Sequence, residues 1–298
     1  MREPLYLIGN VNVDLVMGPQ APWPQPGTEV IVPESEFRVG GAAGNTALAL
    51  DALGVDYRLI TSRGDDMLGR WLAEPFGARA EGWTVAEGAT TVSVGIGHPD
   101  GDRTFFTTTG HLHSFRLADV LSQLDEVGEG RVALLVGPFV IPALLADYHE
   151  LIAILRRRNY RIALDTGWPD GGWTLEVRAQ VNAWIGHCEH VLINDIEAKG
   201  LTGAGTVEAA AEMIRPLLPA GASLVIKCGP KGALAWRGAE HVAVPAPKVA
   251  VVDTIGAGDT FSAGYFASLV GSEDLERAVT NGVMVASLAV STRPRRYR

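Results

Sequence analysis

The stretch DTIGAGDTFSAGYF, residues 253–266, sets an acid, Asp259, directly behind Gly256, Ala257 and Gly258 and ahead of small and aromatic residues. A helix starting near Asp259 would aim the amides of residues 256–258 and its positive end at one spot. A phosphoryl group carrying spread-out negative charge would be stabilised there. Beside it, Asp259 could accept the proton of an attacking alcohol. The helix end would also favour the ionised carboxylate. On its own the stretch reads equally well as a tight glycine turn with Asp259 capping the helix behind it. The surrounding elements must decide.

Those elements alternate. LYLIGNVNVDLV (5–16) is strand-like, NTALALDALG (45–54) reads as a helix stopped by Gly54, and DYRLITS (56–62) as the next strand. VALLVG (132–137), the helix ALLADYHELIAILRRR (143–158) and RIALD (161–165) follow. HVLIN (190–194), a helical TVEAAAEMIRPLL (206–218), SLVIKCG (223–229) and GALAWRG (232–238) come next, and helices over 259–270 and 274–291 close the chain. Near-continuous apolar strands with intervening helices predict an α/β fold, a doubly wound, mainly parallel sheet flanked by helices. Two segments break the rhythm. PGTEVIVPESEFRVGG (26–41) and TTVSVGIGHPDGDRTFFTT (90–108) look like antiparallel strands with polar turns, the second with HPDGDR as a hairpin tip. They predict a small β-sheet lid, from about residues 13–39 and 90–108, inserted within a single domain spanning 1–298.

Composition narrows the function. Hydrophobic residues make up 47% and charged residues 20% of the 298, which suits a globular chain and argues against disorder. The net charge of −9 speaks against a nucleic-acid or acidic-membrane surface, and the one basic run, RPRRYR at 293–298, reads as a solvated tail. Two cysteines, Cys188 and Cys228, offer neither a disulfide framework nor metal-ligand spacing, and MREPLYLIGNVNVDLV lacks the regions of a signal peptide. A cytoplasmic protein is expected. Walker, protein-kinase, dinucleotide and nucleophile-elbow motifs are all missing. What remains is phosphoryl transfer without a P-loop.

In parallel sheets ligands bind at the carboxyl ends of the strands. Polar residues and glycines crowd five such junctions, at 12–14, 40–45, 194–197, 228–232 and 253–259. Three of these, GGAAGN (40–45), NDIE (194–197) and DTIGAGD (253–259), resemble in order and spacing the PfkB, or ribokinase-like, carbohydrate kinase family. The resemblance runs from GNVNVD to the last helix. It implies an ATP-dependent small-molecule kinase with a β lid, Asp259 as base and the 256–258 backbone as anion hole.

The resemblance also implies that Asn12, Asp14, Gly40, Gly41 and Asn45 hold substrate hydroxyls, a task suited to carboxylate and amide groups beside glycines. Asn194 and Glu197 would lie near the nucleotide phosphates and help place Mg²⁺, although alone they spell a capping pattern. In IKCGPKGAL (226–234), Lys227 could face a phosphate, with Gly229 and Gly232 edging the nucleotide. Asn281 resembles a position lining the adenine pocket. Asp65 or Asp66 in SRGDDMLGRWL caps a helix. The histidines, His111 and His113 near the lid included, read as surface or packing residues.

The pattern is departed from twice. Asp253 and the Ile255 carbonyl could serve a monovalent cation such as K⁺, but Pro294 and arginines stand where a glycine turn would supply further carbonyls. LLVGPFV (134–140) lacks the acid that some ribokinases use on the sugar. The expected activity is phosphorylation of a sugar or sugar derivative from ATP and Mg²⁺, with closure of the lid excluding water. A nucleoside is the alternative substrate, its base packed on Phe105, Phe106 or Phe139. From another class, a non-catalytic sugar- or nucleotide-binding protein would use the same groups. Lid strands with an apolar face suggest a homodimer.

Overall fold

The computed structural model describes residues 4–98, 103–269 and 274–298. Fourteen strands are present among them. They are β1 (Leu5–Ile8), β2 (Asn12–Met17), β3 (Ser35–Gly40), β4 (Tyr57–Ile60), β5 (Ser62–Gly64), β6 (Thr84–Ala86) and β7 (Val92–Gly97). The remainder are β8 (Arg103–Thr107), β9 (Val132–Val136), β10 (Arg161–Asp165), β11 (His190–Asn194), β12 (Ser223–Lys227), β13 (Ala233–Arg237) and β14 (Glu240–Val244). The main sheet runs in the order β4-β1-β9-β10-β11-β12-β13-β14. It is parallel from β4 to β12, and β13 and β14 continue it as antiparallel strands.

Each central strand feeds two cores, which is why its residues read as an unbroken apolar run. Tyr6 and Ile8 of β1 join one buried cluster with Leu135, Ile162, Leu164, Ile193 and Ile226. Leu5 and Leu7 join the other with Leu134, Val136, Ala163, Leu192 and Val225. The helices Tyr148–Arg157 and Leu175–Ile185 cover the first face; Ala42–Leu53, Ala257–Leu269 and Leu275–Val290 cover the second. Burying one such aliphatic side chain contributes roughly 1.5–3 kcal/mol. Among the described residues, no helix is long and apolar enough to cross a membrane.

The lid is a separate sheet, β3-β2-β7-β8, with β2 antiparallel to β3, parallel to β7, and β7 antiparallel to β8. Its pairing sets Arg38, Asp14, Ser93 and Thr107 side by side in one cross-strand row. The next row, Phe37, Leu15, Val94 and Phe106, faces the other way because side chains alternate along a strand. One face of the lid is polar and the other apolar.

Several segments differ from the sequence reading. Residues 5–16 form two strands, not one. Gly9 N bonds the Ile60 carbonyl at 3.3 Å, and the Asn10 carbonyl then accepts from Ala43 N at 3.1 Å, so the chain leaves the main sheet and enters the lid at Asn12. Of 26–41 only Ser35–Gly40 is strand; Pro19, Pro22, Pro24, Pro26 and Pro33 remove backbone donors from the approach to it. The helix expected over 143–158 breaks at Asp147, and the one over 206–218 tightens into a 3₁₀ turn at Arg215–Leu217, where Pro216 lacks an N–H. The strand expected over 56–62 divides at Thr61, and β5 pairs with β6 instead. Most of the expected hairpin tip, residues 99–102 of HPDGDR, lies outside the described residues.

The junction of lid and core requires a glycine. Gly41 has φ of +82°, and a Cβ there would stand 2.4 Å from the Asn10 carbonyl. Gly41→Ala is therefore expected to destabilise the fold by about 1–3 kcal/mol. Urea denaturation should show a lower midpoint at an unchanged slope.

Candidate active site

The turn that carries the acid is built on one left-handed residue. Gly256 has φ of +70°, and a Cβ on it would stand 2.8 Å from Asn45 Cγ. The helix that follows starts at Ala257, so Asp259 is its third residue rather than a cap before it. Ala257 N donates to the Thr254 carbonyl at 3.2 Å. The amides of Gly258 and Asp259, in the first helical turn, have no carbonyl within their own helix to bond. The Asp259 carboxylate accepts from Asn45 Nδ2 at 2.9 Å, and Thr46 Oγ1 lies 3.3 Å from its backbone carbonyl. Asn45 thus orients the acid from the first turn of the helix Ala42–Leu53.

Behind the acid lies a buried charge cluster. Lys227, at the end of β12, reaches Asp165 Oδ2 at 2.6 Å, and Ser262 Oγ donates to the same oxygen at 3.1 Å. The lysine nitrogen lies 3.2 Å from where a Cβ on Gly258 would stand, directly beneath the turn. Glu197 is buried nearby. Its carboxylate accepts from Asn194 N at 2.9 Å while Asn194 Oδ1 accepts from Glu197 N at 2.8 Å, a reciprocal capping box. Burial, then the neighbouring Asp165 charge, lifts the Asp259 carboxyl to about 7 against the pull of Lys227, Asn45 and Arg295. The same two causes push Glu197 upward. Burial disfavours the charged lysine, but Asp165, Glu197 and Asp259 outweigh it and hold Lys227 protonated above its ordinary range. Asp165 was not among the sequence candidates, although an acid closing a parallel strand, RIALD, was the available signal.

A cleft of about 510 Å³ opens beside the turn. Lys227, Gly229, Gly232, Ala257 and Gly258 form one edge, and Val249, Phe261, Val283 and Val290 give it an apolar wall. Neither Asn194 nor Asn281 lines it. The Asn281 amide donates to the Gly264 carbonyl at 2.6 Å and ties the last two helices together. Lys231 is exposed.

On the other side of Asp259 stands a ladder of buried amides. Asn10 Nδ2 donates to Asn12 Oδ1 at 3.0 Å, and Asn12 Nδ2 donates to Asp14 Oδ1 at 2.8 Å and to Ser93 Oγ at 3.1 Å. Ser93 and Thr107 hydroxyls meet at 2.9 Å. The Asp14 carboxylate lies against Gly40, where a Cβ would overlap it at 2.0 Å. Burial lifts Asp14 to about 6, with Arg38 and the Asn12 amide opposing.

Two arginines join this ladder to the turn. Arg38 Nη1 pairs with Asp253 Oδ2 at 2.5 Å. Arg295 Nη2 donates to Asp253 Oδ2 at 2.9 Å and to the Ile255 carbonyl at 2.6 Å. Burial would raise the Asp253 carboxyl, but the Arg38 hydrogen bond, the Ile255 N–H and both guanidinium charges reverse this and hold it below the usual range. The basic tail is therefore not simply solvated, because its arginine answers a half-buried carboxylate. The Phe139 ring is half-buried and packs against the edge of the core, 6.3 Å from Trp173 and 6.0 Å from Trp184. His111 is a packing residue, its Nδ1 accepting from Thr91 N at 2.9 Å with burial pushing it down to about 4.

Comparison with known proteins shows the family. The pfkB family carbohydrate kinase pattern matches residues 3–295. The chain is 26% identical over 289 residues to the ribokinase of Bacillus subtilis (strain 168), covering 96% of this chain and 92% of that one. It is 30% identical over 240 residues to a fructokinase of Rhizobium leguminosarum bv. trifolii, covering 77% and 71% respectively. A fructokinase double mutant from Vibrio cholerae O395, solved with fructose, ADP and a potassium ion, shares the fold at a TM-score of 0.80 and 20% identity, over 98% of this chain and 94% of that one. With a family match spanning nearly its whole length, this chain belongs to the PfkB family of carbohydrate kinases.

Proposed function

We propose that the protein transfers the γ-phosphoryl group of ATP to a hydroxyl of a sugar or sugar derivative, with Asp259 as the base. The carrying observation is the placement of Asp259: third in a helix, held by Asn45, with its carboxyl lifted to about 7 beside amides that lack a helical acceptor. A base of that strength is matched to neutral pH.

The reaction uses the groups in sequence. Asn12, Asp14, Gly40, Gly41 and the polar row of the lid hold the sugar hydroxyls, while the apolar cleft beside Gly229 and Gly232 takes the nucleotide. The attacking hydroxyl loses its proton to an Asp259 oxygen as its own oxygen bonds to the γ-phosphorus. The bond from that phosphorus to the bridging oxygen breaks, and ADP leaves. The Gly256 and Gly258 amides of the expected 256–258 hole, with the Asp259 amide, the helix end and Lys227, stabilise the charge on the transferring group, while the Ala257 amide already donates to the Thr254 carbonyl. Mg²⁺ enters with ATP as part of the substrate, and the Glu197 carboxylate, with one oxygen on the Asn194 amide, suits an ion that keeps its waters. A nucleoside is the second reading. Phe105 lies two residues from Thr107 along β8, on the polar face of the lid, where it could stack on a base.

ADP release from MgATP across sugars, sugar acids and nucleosides tests the reading. Turnover of one class, with kcat lowered about 10²–10⁴-fold in Asp259→Asn and ATP affinity kept, is expected. Binding of both ligands without turnover in either protein would make this a binding protein instead. In the wild type, kcat/KM should fall as pH drops through about 7, as the base takes up its proton.

Stability should move oppositely. A carboxyl whose folded pKa is raised stabilises the fold in its protonated form, and that contribution is lost as pH rises through about 7. Asp259→Asn removes the buried charge. It should be more stable than the wild type at pH 8, by up to about 4 kcal/mol, and the gain should shrink towards pH 5.

The apolar lid face suits a second copy of the chain. Phe37 and Phe106 are 56% and 55% exposed there, and Trp23 lies 6.2 Å from Phe106. Light scattering should give about twice the 31.6 kDa chain mass, and Phe37→Glu should halve it. A wild-type monomer would refute the dimer.

A further inference from the structure

The two groups that the family resemblance marks as ligands for a monovalent cation, the Asp253 carboxylate and the Ile255 carbonyl, already share a positive partner. Arg295 Nη2 stands 2.9 Å from Asp253 Oδ2 and 2.6 Å from the Ile255 oxygen, and its side chain is only 16% exposed. Arg38 adds a second guanidinium at the same Asp253 oxygen, 2.5 Å away. An ion seated on those oxygens would have to displace Arg295 or sit against its charge. The donor set does not fit a free monovalent cation.

We propose that Arg295 is the built-in cation of the GAGD turn, a positioning residue that holds the anion hole in shape and makes the protein indifferent to K⁺. The geometry explains how. The Ile255 carbonyl and the Gly256 N–H belong to one planar trans peptide and point in opposite directions. A guanidinium pulling on the oxygen from one side therefore aims the amide towards the other, where the phosphoryl group is received. Asp253 Oδ1 accepts from Ile255 N at 2.9 Å, so the same arginine, through Asp253, fixes the preceding peptide as well. Arginine suits this task because its charge is permanent and its N–H groups sit in a rigid fork. Unlike a dissolved ion, it is never absent at low concentration.

The inference rests on the phosphotransfer reading for its kinetic arm only. Wild type, Arg295→Ala and Arg295→Lys would be compared in KCl, NaCl and choline chloride at equal ionic strength, by kcat on the accepted substrate and by melting temperature. Wild-type values are expected to be the same in all three salts. Arg295→Ala should lose about tenfold or more in kcat in choline and recover several-fold in KCl or millimolar guanidinium. Its melting temperature should rise in KCl over choline. A residue of merely structural value would show no cation-specific rescue, and that result would overturn the proposal. So would a wild type activated or stabilised by K⁺ over choline. If Arg295→Ala does not fold, the wild-type salt profile and Arg295→Lys, which keeps the charge, decide. If no substrate is turned over, the kinase reading fails, and the melting comparison still decides the cation question.

Discussion

One buried lysine holds the active site together. Lys227 reaches Asp165 at 2.6 Å, and its charge also faces Glu197 and Asp259. These groups come from the ends of β10 and β12, from the helix Asp195–Thr202 that follows β11 and from the helix that follows Gly256, so four elements converge on a single ammonium group. Charges buried in this way cost free energy unless they are paired, and removing one partner leaves the others uncompensated. Here Lys227 faces three acids, and Arg295 adds a second positive charge that acts on Asp259. Burial lifts Asp259 towards neutrality, and the charge of Asp165 beside it adds to that lift.

Apolar residues of both cores come from the strands that carry Asp165 and Lys227, and Lys227 also lines the cleft beside the turn. The Asn10–Asp14 side is organised by side-chain hydrogen bonds. Asn10, Asn12 and Asp14 form a ladder that begins where the chain leaves the main sheet and ends on the polar face of the lid. Because Asn10 also receives the amide of Ala43, the position of the helix carrying Asn45 and the position of the lid are coupled through one residue.

Much of this was legible in the sequence, and the rest fails for identifiable reasons. Continuous apolar runs predict the parallel sheet because both faces of each strand are buried, and the glycine-acid turn announces itself through residues that only a tight turn and a helix start would combine. The capping reading of Asn194 and Glu197 and the ligand reading turn out not to be exclusive, since one Glu197 oxygen serves the cap within reach of the charge cluster. Asp165 is a single acid after an ordinary strand, and nothing local separates it from a surface residue until Lys227 is found across two strands. Asn281 was illegible for a different reason. A helical asparagine has a direction that only the neighbouring helix reveals, and here that neighbour offers the Gly264 carbonyl.

Arg38 and Arg295 show the limit most clearly. They lie 215 and 42 residues from Asp253, and each reads alone as an unremarkable surface charge. Only the fold brings them to one carboxylate. Once there, they convert a loop that resembles an ion site into one already neutralised by the chain itself. Protein charges held by covalent tethers need no loading step and respond weakly to salt when buried. The anion hole therefore depends on the docking of the tail rather than on the ionic composition of the solution. The strand that carries Arg38 belongs to the lid, so Asp253 ties together the lid, the tail and the turn, and charge balance at that single carboxylate is shared by all three.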